Sequence, residues 1–149
     1  MPSAFTRDFG EVSYEPAAEW MFPQGLPGFE DQNRFLLIER APLAPIMFLQ
    51  SLRVPELCFL AVSVWVADPQ YQVGVTSADL EMLALSRQPE PGDETACLAI
   101  LSSGGQSFTA NLLAPVVMNT RTRTALQAVR ADARYSHCYP LRREALPCL

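Results

Sequence analysis

The chain has 149 residues, 49% of them apolar, and carries a formal net charge of −5. This length is typical of a single domain, which we expect to span residues 1–149. The apolar fraction predicts a folded chain and excludes an intrinsically disordered one. The acidic balance argues against direct binding of nucleic acid, because a phosphate backbone requires a basic surface. It is compatible with a basic protein partner.

The cysteines and the apolar runs indicate the cellular compartment of the protein. Four cysteines are present and none forms a Cys-x-x-Cys pair, so we expect reduced thiols in a cytoplasmic protein. The first residues contain no apolar signal-peptide core. The longest apolar run, residues 58–66, is far shorter than the roughly 20 residues of a membrane-spanning helix. We therefore expect no membrane partner.

Short apolar runs between prolines and glycines predict a series of short strands in the first half of the chain. In chain order these strands are residues 9–14, 19–22, 34–39, 46–51 and 58–66. Residues 24–28 read Gln-Gly-Leu-Pro-Gly, which predicts a stiff double turn in which Gly25 and Gly28 adopt positive φ angles.

The second half contains the one predicted helix, residues 76–86, with Thr76 or Ser77 as its cap and acidic residues in its first turn. Strands are predicted at 95–101, 107–113, 116–118 and 124–129, with Gly104-Gly105 as a hairpin turn. The tail from residue 131 is expected to fray at its end. Together these elements predict an all-β domain, either a small antiparallel barrel or a two-sheet pseudo-barrel, with one short helix.

The residue types that usually carry catalysis are scattered. The single histidine, His137, lies next to Cys138, which would face the other side of a strand, so the two cannot form a nucleophile–base pair. Glu90, Asp93 and Glu94 lie in a predicted loop, where carboxylates are normally solvated. No cluster has the spacing of metal ligands. The sequence therefore predicts no cofactor and favours a protein that is not an enzyme.

Two asparagines lie within apolar sequence, Asn111 and Asn119. A buried amide without a partner costs about 1–3 kcal/mol, so we expect both side chains to bond backbone groups across a crossing of strands. The alternative is that they mark a recognition surface. Trp65, near the end of the longest apolar run, is a second candidate for an exposed docking patch.

Several segments, in order and spacing, make the chain resemble the FliW family of bacterial flagellar assembly factors, from about residue 9 to residue 141. The segments are Phe-Gly-Glu at 9–11, Phe-Pro-x-Gly-Leu-Pro-Gly-Phe-Glu at 22–30, Phe-Leu-Gln-Ser at 48–51, Pro55 ahead of Phe59, Tyr71, Ala-Asn-Leu-x-Ala-Pro at 110–115, Asn119 and Gln127. The chain departs from the family pattern at Gln70 and Ala125, and the tail 142–149 matches nothing in it.

The resemblance implies a small, mostly β, cytoplasmic and non-enzymatic protein that switches between partners. It implies that the protein binds newly made flagellin. Once flagellin is exported, the freed protein would bind the RNA-binding translational regulator CsrA. It would then lower the affinity of CsrA for flagellin messenger RNA without occupying the RNA site.

We expect the partner contacts on the 68–71 turn, on the acidic loop and around the two asparagines: Asp68, Tyr71, Glu90, Asp93, Glu94, Asn111 and Asn119. Two other classes of protein remain open. A ligand-binding barrel or small enzyme would need an internal pocket with convergent polar groups. A structural subunit would form a stable oligomer through a large apolar face, whereas the mixed charge and short strands favour a monomer.

Overall fold

The protein, seen in a computed structural model that describes residues 1–104 and 107–147, is built mainly from eleven short strands. These are Ser3–Thr6 (β1), Gly10–Ser13 (β2), Trp20–Met21 (β3), Arg34–Glu39 (β4), Met47–Ser51 (β5), Cys58–Ser63 (β6), Thr95–Gly104 (β7), Ser107–Ala110 (β8), Val116–Asn119 (β9), Thr124–Gln127 (β10) and Tyr139–Pro140 (β11). Two short α-helices, Val64–Ala67 (α1) and Ser77–Met82 (α2), lie between β6 and β7.

Seven of the strands close into a barrel. Its order is β7, β6, β5, β4, β3, β10 and β9, and β9 pairs back with β7. Every pairing in this ring is antiparallel except the short β3–β10 contact, which is parallel. The structure thus confirms the predicted all-β class and shows a closed barrel, not two separate sheets.

The barrel interior is filled with side chains. One buried cluster draws residues from all seven barrel strands and from the loop after β3: Trp20, Phe22, Leu26, Phe35, Leu49, Ala61, Leu98, Val116, Met118 and Ala125. The rings of Phe22 and Phe35 pack edge to face, with centroids 5.0 Å apart. A small barrel of this kind is a packed core. The internal pocket required by a ligand-binding barrel therefore receives no support.

A second core lies outside the barrel wall. Residues from the outer faces of β6, β7, β9 and β10 pack against the long connection between β6 and β7, which contributes Tyr71, Val75 and Leu83. Because these strands are covered on both faces, the central parts of β6, β7 and β9 are apolar at consecutive positions instead of alternating. The connection is thus anchored to the barrel by apolar contacts.

The N-terminal segment forms a separate hairpin of β1 and β2, where the sequence predicts only one strand at residues 9–14. Phe9 lies in the turn between the two strands and packs edge to face on Phe48 of β5, with centroids 5.0 Å apart. The Arg7 amide donates to the Pro55 carbonyl at 3.0 Å. The hairpin therefore lies against the outside of the barrel.

Two element boundaries differ from the prediction because side chains cap the backbone. The predicted strand 58–66 ends at Ser63, whose hydroxyl accepts from the Trp65 amide at 3.2 Å and starts α1. The structure therefore has two short helices where the sequence predicts one. The predicted helix 76–86 begins as expected, with Thr76 capping Asp79, but stops after Met82, and Ala84 adopts a φ of 56°.

Several predicted strands are shorter in the structure, and the tail pairs with the barrel sheet, while its last two residues, where fraying is expected, lie outside the described ones. The strand predicted at 107–113 ends at Ala110, and the one predicted at 124–129 ends at Gln127. The tail pairs with β8 through β11, and Leu146 is buried in the outer cluster. The predicted Gly104-Gly105 turn falls in part on a residue outside the described ones, as does Cys148. Within the described segments no helix is long and apolar enough to cross a membrane.

Candidate partner-binding surface

The connection between β6 and β7, residues 64–94, carries the excess charge of the protein; we call it the helical connection. It holds six acidic residues and one arginine, a formal charge of −5. The rest of the chain holds ten acidic and ten basic residues, so its formal charge is zero. Glu81, Glu90 and Glu94 are exposed there. The helical connection is thus an acidic segment, against which Arg121 and Arg130 of the rest of the chain lie, and exposed charge of one sign steers a partner of the opposite sign.

The tip of this acidic region is a turn formed by Glu90, Pro91, Gly92 and Asp93. The Asp93 amide donates to the Glu90 carbonyl at 3.1 Å, and Gly92 has a φ of 90°. Proline followed by glycine is the usual central pair of a type II turn. The sequence and the geometry agree here because the turn chemistry is local.

The Asp93 carboxylate accepts hydrogen bonds from groups in and next to its own turn. Its Oδ2 accepts from the Glu90 amide at 2.9 Å, and its Oδ1 pairs with Arg87 Nη2 at 3.0 Å. These contacts, the amide first and the guanidinium second, lower the pKa of Asp93. By contrast, the Glu90 side chain is 72% exposed. Asp93 therefore shapes the loop, and Glu90 presents charge to the solvent.

Gln88 fixes the base of the same loop. Its side-chain oxygen accepts from the Val75 amide and its side-chain nitrogen donates to the Val75 carbonyl, both at 2.8 Å. This pair of bonds imitates one rung of a β-ladder. It holds the loop against residues 72–75, and a groove runs between them.

We call this groove, which Trp65 helps to line, the Trp65 groove; its volume is about 470 Å³. The Trp65 indole N–H donates to the Tyr71 carbonyl at 2.9 Å, so the polar edge of the ring is satisfied inside the protein. Trp65 as a whole residue is partly exposed. The groove is lined by Trp65, Tyr71, Gln72, Val73, Gln88, Pro89, Glu90 and Pro91. It offers an aromatic surface, rigid prolines and one carboxylate.

A second groove, the Asn119 groove, lies on the other side of the loop. Asn119 is 3% exposed, and its Nδ2 donates to the Leu83 carbonyl at 2.7 Å while its Oδ1 accepts from the Arg121 amide at 3.0 Å. It thus ties β9 to the helical connection, as the buried-amide argument predicts. The groove is lined by Ala84, Leu85, Ser86, Arg87, Pro89, Gly92, Asp93, Glu94, Thr95, Asn119 and Arg121.

The Tyr71 side chain lies largely inside the molecule, although the residue is one of those that line the Trp65 groove. It is 4% exposed, its hydroxyl donates to the Leu112 carbonyl at 2.8 Å, and burial raises its pKa. Asp68, at the start of the same turn, accepts from the Gln70 amide at 2.9 Å. The turn expected to present Tyr71 to a partner instead fastens the helical connection to the barrel.

Sequence reasoning missed the role of Arg130. This side chain is 6% exposed, pairs with Asp132 at 2.8 Å and donates to the Gln72 carbonyl. Its guanidinium also lies 4.8 Å from the ring centroid of Tyr135. Arg130 therefore joins the tail to the helical connection. The spacing Arg-x-Asp was the only available signal, and it is common on solvated surfaces.

The expected contact residues do not form one surface. Glu90 and part of Tyr71 line the Trp65 groove, and Asp93, Glu94 and Asn119 line the Asn119 groove. Asp68 lines neither of them. Asn111 also lines neither, because its Oδ1 accepts from the amides of Leu113 and Ala114, at 3.2 and 3.0 Å, in a local turn that crosses no strands. His137, the one histidine, is exposed in the tail.

Comparison with known proteins identifies the family of this chain. The family model described as FliW protein matches residues 4–141. The chain belongs to the FliW family of flagellar assembly factors. The match begins five residues before the resemblance seen in the sequence and ends at the same residue, 141. It thus includes most of the N-terminal hairpin.

Individual FliW proteins agree with this assignment. The flagellar assembly factor FliW of Syntrophomonas wolfei is 31% identical over 135 residues, which cover 89% of this chain and 83% of that protein. The factor of Geobacter sulfurreducens is 32% identical, covering 91% of this chain and 83% of its own length. A crystal structure of the flagellar assembly factor FliW superposes with a TM-score of 0.84 at 26% identity, over 96% of this chain and 99% of that one.

Proposed function

We propose that this FliW-family chain works in the cytoplasm as a partner-switching assembly factor. It binds flagellin, and when free of flagellin it binds CsrA. The bound CsrA then has a lower affinity for flagellin messenger RNA, although its RNA site is not occupied. Such coupling requires that the two CsrA states, RNA-competent and RNA-incompetent, bind this protein with different affinity.

The observation that carries the CsrA part is the separation of charge. The helical connection carries a formal charge of −5 and the remainder carries none. An RNA-binding protein carries basic surface, so long-range attraction between opposite potentials speeds its encounter with the helical connection, whichever part of its surface then docks. A bound acidic domain also repels RNA from the neighbourhood, which supports antagonism without competition for the RNA site.

The flagellin part is supported by the N-terminal hairpin. Within the described part of the chain, β1 and β2 pair only with each other, so each offers an unpaired edge. Phe5 on β1 is 68% exposed. An extended segment of a partner can add to such an edge through backbone hydrogen bonds.

The test is titration calorimetry of the purified protein against the cognate flagellin and the cognate CsrA, separately and then in competition. Binding to both, with flagellin displacing CsrA, is the expected result. Binding to flagellin alone would reduce the role to that of a chaperone. Binding to neither would overturn the proposal for this chain.

A charge-reversal pair tests the acidic surface. Reversal at Asp93 would also disturb the turn, so Glu90→Arg with Glu94→Arg is the sharper variant. We expect slower association with CsrA and a flatter salt dependence. The matched control is Glu11→Arg with Glu15→Arg, two exposed acids outside the helical connection. If both pairs slow association equally, only net charge matters and the acidic surface is not the docking site.

A further inference from the structure

We propose that the Trp65 groove receives one arginine side chain of the basic partner. The guanidinium stacks on the Trp65 ring and pairs with the Glu90 carboxylate. This inference rests on the proposed function, since it names what the acidic side of the molecule recognises. It concerns a single pocket within that surface and can fail independently.

The Trp65 ring is available for this contact because its polar atom is already satisfied. The indole N–H is bonded to the Tyr71 carbonyl at 2.9 Å, and the ring lies in the wall of an open groove. Tryptophan offers the strongest aromatic site for a cation, and the attraction grows when water is excluded from the contact. A ring held by its edge presents its surface without further ordering cost.

Glu90 supplies the second half of the site. Glu90 is one of the lining residues of the groove, and the only salt-bridge partner of its carboxylate among the described residues is Arg87, at 3.4 Å. Both side chains of that pair are largely exposed, 60% for Arg87 and 72% for Glu90, and such pairs contribute little. Glu90 can therefore exchange Arg87 for an incoming cation. The loop keeps its shape because Asp93, and not Glu90, closes the turn.

The geometry favours arginine over lysine. A guanidinium is planar, so it can stack on an indole and still direct two N–H groups to one carboxylate. A lysine ammonium is a hydrated point charge and gains less from a flat ring. Pro89 and Pro91 form rigid walls beside the ring. The groove is thus preformed for a flat cation.

The direct test is a fluorescence titration with hexa-arginine and hexa-lysine peptides of equal charge. Trp65 is the reporter, because the other tryptophan, Trp20, is buried in the barrel beneath Arg123. We expect hexa-arginine to bind about fivefold or more tightly than hexa-lysine and to change the emission. Glu90→Gln should remove most of this preference. Glu81→Gln, an equal charge change on α2 outside the groove, should leave the preference intact.

Two results would overturn the inference. One is equal binding of the two peptides to the wild-type protein. The other is an equal loss of arginine preference in the Glu90→Gln and Glu81→Gln variants. Trp65→Phe, which keeps a smaller ring, serves as a second variant and should weaken hexa-arginine binding by a few fold.

A parallel titration with CsrA separates this inference from the proposed function. If the wild type binds CsrA and Glu90→Gln binds it equally well, the arginine site is wrong and the switch stands. If the wild type prefers hexa-arginine but does not bind CsrA, the site stands and the named partner is wrong.

Discussion

The barrel and the helical connection use polar side chains in opposite ways. In and around the barrel wall, polar groups are buried and bonded: the Ser51 hydroxyl donates to the Gln32 side-chain oxygen at 3.2 Å and accepts from the Val54 amide at 3.1 Å. In the helical connection, Glu81, Glu90 and Glu94 are exposed. This contrast separates positions that should affect folding from positions that should affect binding. Substitutions in the first region should change the free energy of unfolding, and those in the second should change association.

The largest expected effect is at Gly25, in the loop that closes one end of the barrel. Its φ is 62°, and an added Cβ would lie 2.5 Å from the Phe29 carbonyl oxygen. Strain and overlap with backbone both act, so we expect Gly25→Ala to lower the free energy of unfolding by about 2–4 kcal/mol. Urea denaturation measures this.

Gly28 provides the matched control for Gly25. Its φ is 85°, but an added Cβ would meet nothing within 4 Å. Gly28→Ala should therefore cost only the conformational term, about 1 kcal/mol. Equal losses for the two variants would mean that the close approach at Gly25 has no energetic consequence.

Arg130 is the next largest case, because a buried cation is removed from several partners. Its loss leaves the Gln72 carbonyl and part of Asp132 without a donor. Asp132 itself is 47% exposed and can be rehydrated. We therefore expect Arg130→Met to cost about 2–4 kcal/mol, below the cost of breaking a fully buried pair. Thermal and urea unfolding should agree on this value.

Arg134→Met is the control for Arg130→Met. Arg134 is exposed and lies 5.7 Å from the Tyr135 ring centroid. Its loss should change stability by less than about 0.5 kcal/mol. If Arg130→Met were as mild, the tail would not be joined to the helical connection through this guanidinium.

The sequence predicted features that depend on local chemistry and missed those that depend on distant contacts. The Thr76 cap is present because its determinants lie within a few residues. The pairing of the tail could not be predicted, since β11 pairs with β8 and Arg130 meets Gln72 only after the barrel has closed. Tyr71 was placed on the surface for the same reason: its partner, the Leu112 carbonyl, is 41 residues away.

A third prediction compares the two asparagines. Asn119 is buried and joins β9 to Leu83, whereas Asn111 is partly exposed and closes a local turn. We expect Asn119→Ala to cost about 1–3 kcal/mol, because a buried carbonyl loses its donor. Asn111→Ala should cost about 0.5–1 kcal/mol, since water can replace its bonds. The reverse order in urea denaturation would contradict the assignment of Asn119 as the link between barrel and helical connection.

The smallest effect separates two neighbouring acids within the helical connection, Asp93 and Glu94. The folded state lowers the pKa of Asp93 below its ordinary value of 3.8, because the Glu90 amide and Arg87 both favour the carboxylate. Ionised Asp93 therefore stabilises the folded state, and this contribution is complete at pH values above the ordinary pKa of 3.8. It is lost as the pH falls through the lower pKa of Asp93 in the folded state. Asp93→Asn should therefore flatten the acid limb of the stability curve below about pH 4.

Glu94→Gln, an exposed side chain, should leave that limb unchanged, and urea midpoints between pH 2.5 and pH 7 would measure both. If the two variants alter the limb alike, Asp93 does not hold the turn. The position of Glu90 would then not be set by the bonds that Asp93 makes in this turn.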